Sequence, residues 1–140
     1  MKQIITLSDC LKCKECCHFY EGYEHLTPIV EENEKHFRIQ CNEKIGKYHI
    51  CPNFKKELCI IQDNKPFDCK IYPFNIMKDK NGNIVLAYDK TCRGIKNKTK
   101  KEIEEYSDYL IDFIKKNKIL EKEIYIEPFQ KELAVIKKIE

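Results

Sequence analysis

Tyr72-Pro-Phe-Asn-Ile-Met77, Asp79-Lys-Asn-Gly82 and Asn83-Ile-Val-Leu-Ala-Tyr88 run almost without a break, and this stretch commits the chain to a sheet. Two apolar runs flank an Asn-Gly pair. Asn and Gly tolerate the positive φ angles of a tight turn, so the runs are expected to fold back as a β-hairpin. Downstream the pattern changes period. Thr99 and Glu102 have the spacing of a capping box. Ile103, Tyr106, Leu110, Phe113 and Ile114 then recur three to four residues apart, as on one face of a helix over 99–118. A hairpin followed by an amphipathic helix predicts an α+β fold.

Outward from this centre the signals weaken. Thr27-Pro28 before Ile29-Val-Glu-Glu-Asn-Glu-Lys-His36 reads as a capped short helix, since proline fits the first helical turn. Phe37–Cys41 and Lys47–Ile50 read as strands paired across the turn near Gly46. Pro128 is expected to open a last helix, with Phe129, Leu133, Ile136 and Ile139 on one face. Ser8 or Asp9 is a candidate cap for a short helix entering residues 8–20. The expected organisation is one compact unit. Residues 1–98 form a small irregular core with short β-hairpins, and residues 99–140 form a helical extension packed on it.

Composition removes several function classes. The four glycines, Gly22, Gly46, Gly82 and Gly94, are too far apart for a dinucleotide or phosphate loop of the usual form. No apolar run approaches the ~18 residues of a membrane helix. The first nine residues are too short and polar for a secretion signal, so a cytoplasmic location is expected and no membrane partner. Net charge is only +3, and of 26 basic residues just Arg38 and Arg93 are arginines. The lysines are spread along the chain, without the basic footprint of a nucleic-acid binder. They read as a solvated surface.

The unusual number is nine cysteines in 140 residues. Cys10-Leu-Lys-Cys13-Lys-Glu-Cys16-Cys17 places four thiols within eight residues, and Cys41, Cys51, Cys59, Cys69 and Cys92 follow. Two-residue gaps let neighbouring thiolates converge on one ion through a tight turn, as in zinc and iron–sulfur sites. The alternative is a disulfide framework. An odd count, adjacent cysteines and a reducing compartment weigh against it. Thiol catalysis would need one nucleophile and not eight companions. His18, next to Cys17, is the best histidine candidate for ligation. His25, His36 and His49 read as surface or packing residues. Pro66 and Pro73 bracket Cys69 and favour an extended or turning backbone there. This either aims Cys69 at a metal or makes an ordinary proline-rich loop. The aromatic residues of 67–74 are expected to wall such a site from water.

In combination these motifs resemble the YkgJ-like cysteine cluster family, a C-x-x-C-x-x-C-C zinc- or iron-chelating domain. The likeness begins at Cys10, Cys13, Cys16 and Cys17. It continues in Leu26-Thr-Pro-Ile-Val-Glu-Glu32, similar to the family's short helix, and in Cys51-Pro52 and Cys59-Ile-Ile. Lys65-Pro-Phe-Asp-Cys69-Lys-Ile-Tyr-Pro-Phe74 is similar to R-P-x-x-C-R-x-[FY]-P-F, and Cys92-Arg-Gly94 to the closing cysteine. Lys65 and Lys70 stand where the family usually has arginine, which removes a bidentate anion fork. Cys41 has no counterpart and is the odd one out.

The resemblance implies a metal-organised core with eight ligands: Cys10, Cys13, Cys16, Cys17, Cys51, Cys59, Cys69 and Cys92. Zinc and iron, the latter including an iron–sulfur cluster, are the cofactors implied. The expectation is a metal-binding protein without a defined catalytic act, whose protein partner the sequence does not name. The alternatives are an iron–sulfur electron-transfer or redox accessory protein and a disulfide-stabilised protein.

Overall fold

The hairpin expected at residues 72–88 lies at the centre of the fold. A computed structural model describes residues 1–9, 17–23, 26–56 and 58–140. Its architecture is α+β. Strands β1 (His18–Tyr20), β2 (Ile29–Glu32), β3 (Lys35–Arg38), β4 (Glu43–Ile45), β5 (Tyr48–Ile50), β6 (Phe54–Lys55) and β7 (Leu58–Cys59) occupy the first half. Helix α1 (Phe67–Ile71) leads into β8 (Phe74–Lys78) and β9 (Ile84–Tyr88). Helices α2 (Arg93–Lys96) and α3 (Lys100–Lys116) follow, then β10 (Ile126–Glu127) and β11 (Ala134–Lys138). The main sheet has the order β10-β8-β9-β11, and the first half forms small antiparallel sheets β1-β5-β4, β2-β3 and β6-β7.

The β8–β9 register pairs Ile76 with Leu86 and Met77 with Val85. Side chains alternate across a strand, so the register sorts them by face. Phe74, Ile76 and Leu86 meet Tyr106, Leu110, Ile111 and Ile114 of α3 in the main core. Met77, Val85 and Ala87 face the other way, covered by Leu133. Asp79 organises the turn by accepting from the Asn81 and Asn83 amides at 2.8 and 2.9 Å, and Gly82 takes φ +82°. The α3 capping box is complete: Glu102 N donates to Thr99 Oγ1 at 3.1 Å, and Thr99 N donates to Glu102 Oε2 at 2.6 Å.

Several expectations are corrected. Residues 29–36 are not helical. Asn33 and Glu34 adopt φ of 52° and 64°, making a two-residue hairpin turn that pairs Glu32 with Lys35. The helix that the resemblance implied there is absent for the same reason. Phe37 and Arg38 therefore pair with β2, and the partner across Gly46 is Glu43–Ile45. Cys69 lies in helix α1, not in extended backbone, because Pro66 stands at the cap where its missing N–H costs nothing. Thr6, not Ser8 or Asp9, caps the first helical turn: its hydroxyl accepts from the Asp9 amide at 3.2 Å and donates to Asp9 Oδ2 at 2.9 Å.

The 99–140 segment is not a purely helical extension. Residues 134–138 form β11 on the open edge of β9, with a register shift between Val135 and Lys137. Adjacent β-branched Val135 and Ile136, offered an unpaired ladder, satisfy more backbone groups as a strand than as an exposed helix.

Arg38 joins the two halves. Its guanidinium donates to the Thr27 carbonyl at 2.6 Å and to the Ile124 carbonyl at 3.5 Å, and forms an ion pair with Glu127 of β10. Asp68 adds a second tie, its Oδ2 accepting from the Ile29 amide at 3.0 Å.

Urea unfolding measures these contributions. Leu110→Ala, at a site with no exposure, is expected to cost about 3 kcal/mol, and Thr99→Ala about 1 kcal/mol. Arg38→Met, which leaves the Glu127 carboxylate without its cation, is expected to cost about 2–3 kcal/mol, below the figure for a fully buried pair. A loss smaller than that for Thr99→Ala would mean that this ion pair does not join the halves.

Candidate metal centre

Cys51 sits where three backbone elements meet. It follows β5, and its amide donates to the Cys17 carbonyl at 3.0 Å. The β4–β5 hairpin pairs Glu43 with Ile50, so Cys41 and Cys51 flank its open end. Ahead, Phe54 N donates to the Cys51 carbonyl at 2.9 Å, and β6 pairs Phe54 with Cys59. Cys59 thus stands opposite Phe54, whose amide is bonded to the Cys51 carbonyl.

The thiols differ in exposure. Cys41, Cys51 and Cys92 are buried, and Cys17, Cys59 and Cys69 are half-buried. All six are free of disulfides. Cys10, Cys13 and Cys16 lie outside the described residues. Burial pushes the Cys51 thiol up, and the neighbouring Cys41, Cys59 and Asp68 push it further. The Asn53 amide, donating toward the Cys51 sulfur, opposes them. Burial alone raises Cys41. Cys41 therefore lies close enough to Cys51 to raise it. Hairpin register carries this signal: residues just outside paired strands are neighbours.

Cys69 lies on α1 beside Asp68. Burial pushes the Asp68 carboxyl up to about 6, against the Ile29 amide and Arg38, which lower it. Its Oδ1 is buried and makes no hydrogen bond of ordinary geometry. Cys92 caps α2 and contributes to the apolar core, 1% exposed. Across from α2 the first helical turn approaches closely: a Cβ placed at Gly94 would lie 2.6 Å from Ile5 Cδ1 and 3.4 Å from Asp9 Cβ.

His18 packs edge-on to Phe54 at 5.0 Å and to Tyr48 at 6.2 Å. Of the aromatic residues of 67–74, Phe74 shares the main core with Cys92, and Phe67 and Tyr72 pack against that core. Phe74 packs on Tyr88 and Tyr106 in the core, and Phe67 on Phe113 and Tyr125.

Among the described residues, no three His, Cys, Asp or Glu side chains form a group able to hold a metal by themselves. The donor chemistry fits a soft cation nonetheless. Clustered thiols that oppose one another's ionisation and a buried carboxylate oxygen without an ordinary hydrogen bond are groups that a cation satisfies, and an N–H directed at a sulfur favours its thiolate. No helix among the described residues is long and apolar enough to cross a membrane. The chain matches no known family, no curated protein and no solved structure. The family likeness of the cysteine pattern rests on its motifs alone.

Burial predicts an order of thiol reactivity. In brief maleimide labelling of the native chain, read by peptide mass spectrometry, Cys59 and Cys69 are expected to label well before Cys41, Cys51 and Cys92. Equal labelling of all five would contradict the packing around Cys51.

Proposed function

We propose that this chain is a cytoplasmic metal-binding protein that chelates zinc or iron through cysteine thiolates. The reading rests on the surroundings of Cys51: two hairpins and the chain leaving the C-x-x-C-x-x-C-C motif converge there, with an amide directed at its sulfur. Cys10, Cys13, Cys16, Cys17, Cys51, Cys59, Cys69 and Cys92 are the residues that would hold metal. The backbone of Cys17 supports this assignment, since its carbonyl accepts from the Cys51 amide at 3.0 Å.

Bound zinc would supply a structural cross-link, and bound iron or an iron–sulfur cluster a redox centre. The chain's own contribution is to hold thiols from residues far apart in sequence, to direct N–H groups at sulfur and to limit water. Protons compete with metal for each thiolate, so affinity falls on acidification. The even spread of lysine supports no nucleic-acid partner.

Metal analysis and the visible spectrum of anaerobically purified protein test the proposal. Zinc in a colourless protein supports the structural form. Iron with thiolate charge-transfer colour supports the redox form. Absence of both metals from freshly purified and reconstituted protein refutes the reading. Cys51→Ser and Cys69→Ser are expected to weaken metal binding roughly tenfold or more, by at least the effect of losing an outer-shell contact. Cys41→Ser lowers the melting temperature by burying a hydroxyl, yet is expected to leave the metal-to-protein ratio unchanged. Equal loss of metal in Cys41→Ser would redraw the ligand set.

A further inference from the structure

Residues 1–9 form a strap across the helices of the second half. Ile4 and Ile5 pack against the main core, to which α2 contributes Ile95 and α3 contributes Tyr106 and Leu110. Two tyrosines of α3 grip the backbone ahead of them. The Lys2 amide donates to Tyr109 Oη at 2.7 Å, and Tyr106 Oη donates to the Lys2 carbonyl at 3.1 Å. The Ile4 amide is directed at the same Tyr106 hydroxyl. The Lys2 ammonium stands over the Tyr109 ring, 5.6 Å from its centroid. Tyr106 and Tyr109 are three residues apart on α3 and so share a face, which lets one helix hold both backbone groups of Lys2.

The far end of the strap is fixed by shape. Gly94 of α2 leaves the space that the strap enters, since a Cβ there would lie 2.6 Å from Ile5 Cδ1 and 3.4 Å from Asp9 Cβ. Thr6 closes the turn between these two contacts, its amide donating to Asp9 Oδ2 at 2.9 Å.

Chain ends are ordinarily the least ordered part of a domain, so a terminus gripped at Lys2, Ile5 and Asp9 calls for a reason. Its neighbours in sequence supply one. Cys10 follows Asp9 directly, and Gly94 lies two residues after Cys92. The strap therefore leads into the first motif thiol and packs on the helix that Cys92 caps.

We propose that the strap preorganises the metal centre. Tyr106, Tyr109 and Gly94 are positioning residues that hold Asp9, and with it the start of the cysteine motif, against α2 without supplying a ligand. The inference rests on the metal reading of the cysteines. A strap already docked spares the metal the entropy of ordering it, so loosening the strap weakens binding while every thiol remains in place. A strap that served stability alone would lower the melting temperature and leave the affinity of the folded chain unchanged.

Zn²⁺ affinity of the intact chain, measured by competition with a chromophoric chelator at a temperature where every variant is folded, tests the proposal alongside amide hydrogen exchange of residues 2–6. Tyr106→Phe/Tyr109→Phe keeps both rings and removes both grips. Gly94→Ala forces Ile5 aside. Each is expected to speed exchange in the strap and to weaken Zn²⁺ binding about three- to tenfold. Ile5→Val, which removes the Cδ1 atom, is expected to bring the affinity of the Gly94→Ala chain back to within about twofold of the parent. Leu133→Ala, on the opposite face of the main sheet, is expected to lower the melting temperature and leave affinity unchanged. Affinity unmoved by the paired tyrosine change overturns the proposal, whether or not exchange quickens. So does an equal loss of affinity in Leu133→Ala, or a Gly94→Ala defect that Ile5→Val does not repair. A parent chain that binds neither Zn²⁺ nor iron overturns the metal reading and this coupling together. A parent that binds metal no better than its strap variants overturns this coupling alone.

Discussion

The Arg38 guanidinium ties the half of the molecule that carries seven of the nine cysteines to the half that can support it. Strands β1 to β7 are two to four residues long, and hairpins of that size are marginal on their own in water. The main sheet with α3 has a continuous apolar interior, from Phe74 and Leu86 to Leu110 and Ile114. Arg38 reaches from β3 to the backbone of Thr27 and Ile124 and to the carboxylate of Glu127 on the parallel edge strand β10. A lysine in its place could not hold carbonyls and carboxylate at once, because one ammonium lacks the planar fork. That fork ties β3 to β10, and the Ile29 amide ties β2 to Asp68 of α1.

The parts of the fold legible in sequence were those whose signals are local. The Asn-Gly turn with its alternating flanks, and the Thr99–Glu102 box with its helical stripe, each specify an element within some twenty residues. Where two local readings competed, the long-range partner decided. Ile29–His36 had a helix start but also Asn33 at a turn position, and pairing with the rest of the hairpin favoured the turn. Phe129–Ile139 had helical spacing, but β9 offered an open edge. The Arg38–Glu127 pair spans 89 residues, and no periodicity announces such a contact. At the candidate centre, the motif indicated the chemistry of the thiols. The nearness of Cys41 to Cys51 emerged only once the β4–β5 register was known.

The motif around Cys69 is read differently in three dimensions than along the chain. As a string it is a cysteine between basic residues and prolines. As a five-residue helix it is a partition. Asp68 faces the Ile29 amide and lies near enough to raise the Cys51 thiol, while Phe67 packs on Phe113 and Tyr125. One turn of helix thus separates a buried carboxyl from an aromatic cluster.

The main sheet is closed on both sides by late segments: β10 begins at residue 126 and β11 at residue 134. On a ribosome the β8–β9 hairpin and α3 emerge well before either edge strand. During that interval both flanks of the hairpin present unpaired N–H and C=O groups, and the Met77, Val85 and Ala87 face lacks Leu133. An open ladder beside bare apolar surface invites pairing with another nascent chain. The price of completing a sheet from the far end of the sequence is therefore a period of vulnerability during synthesis, when chaperone cover matters more to this chain than its finished stability would suggest.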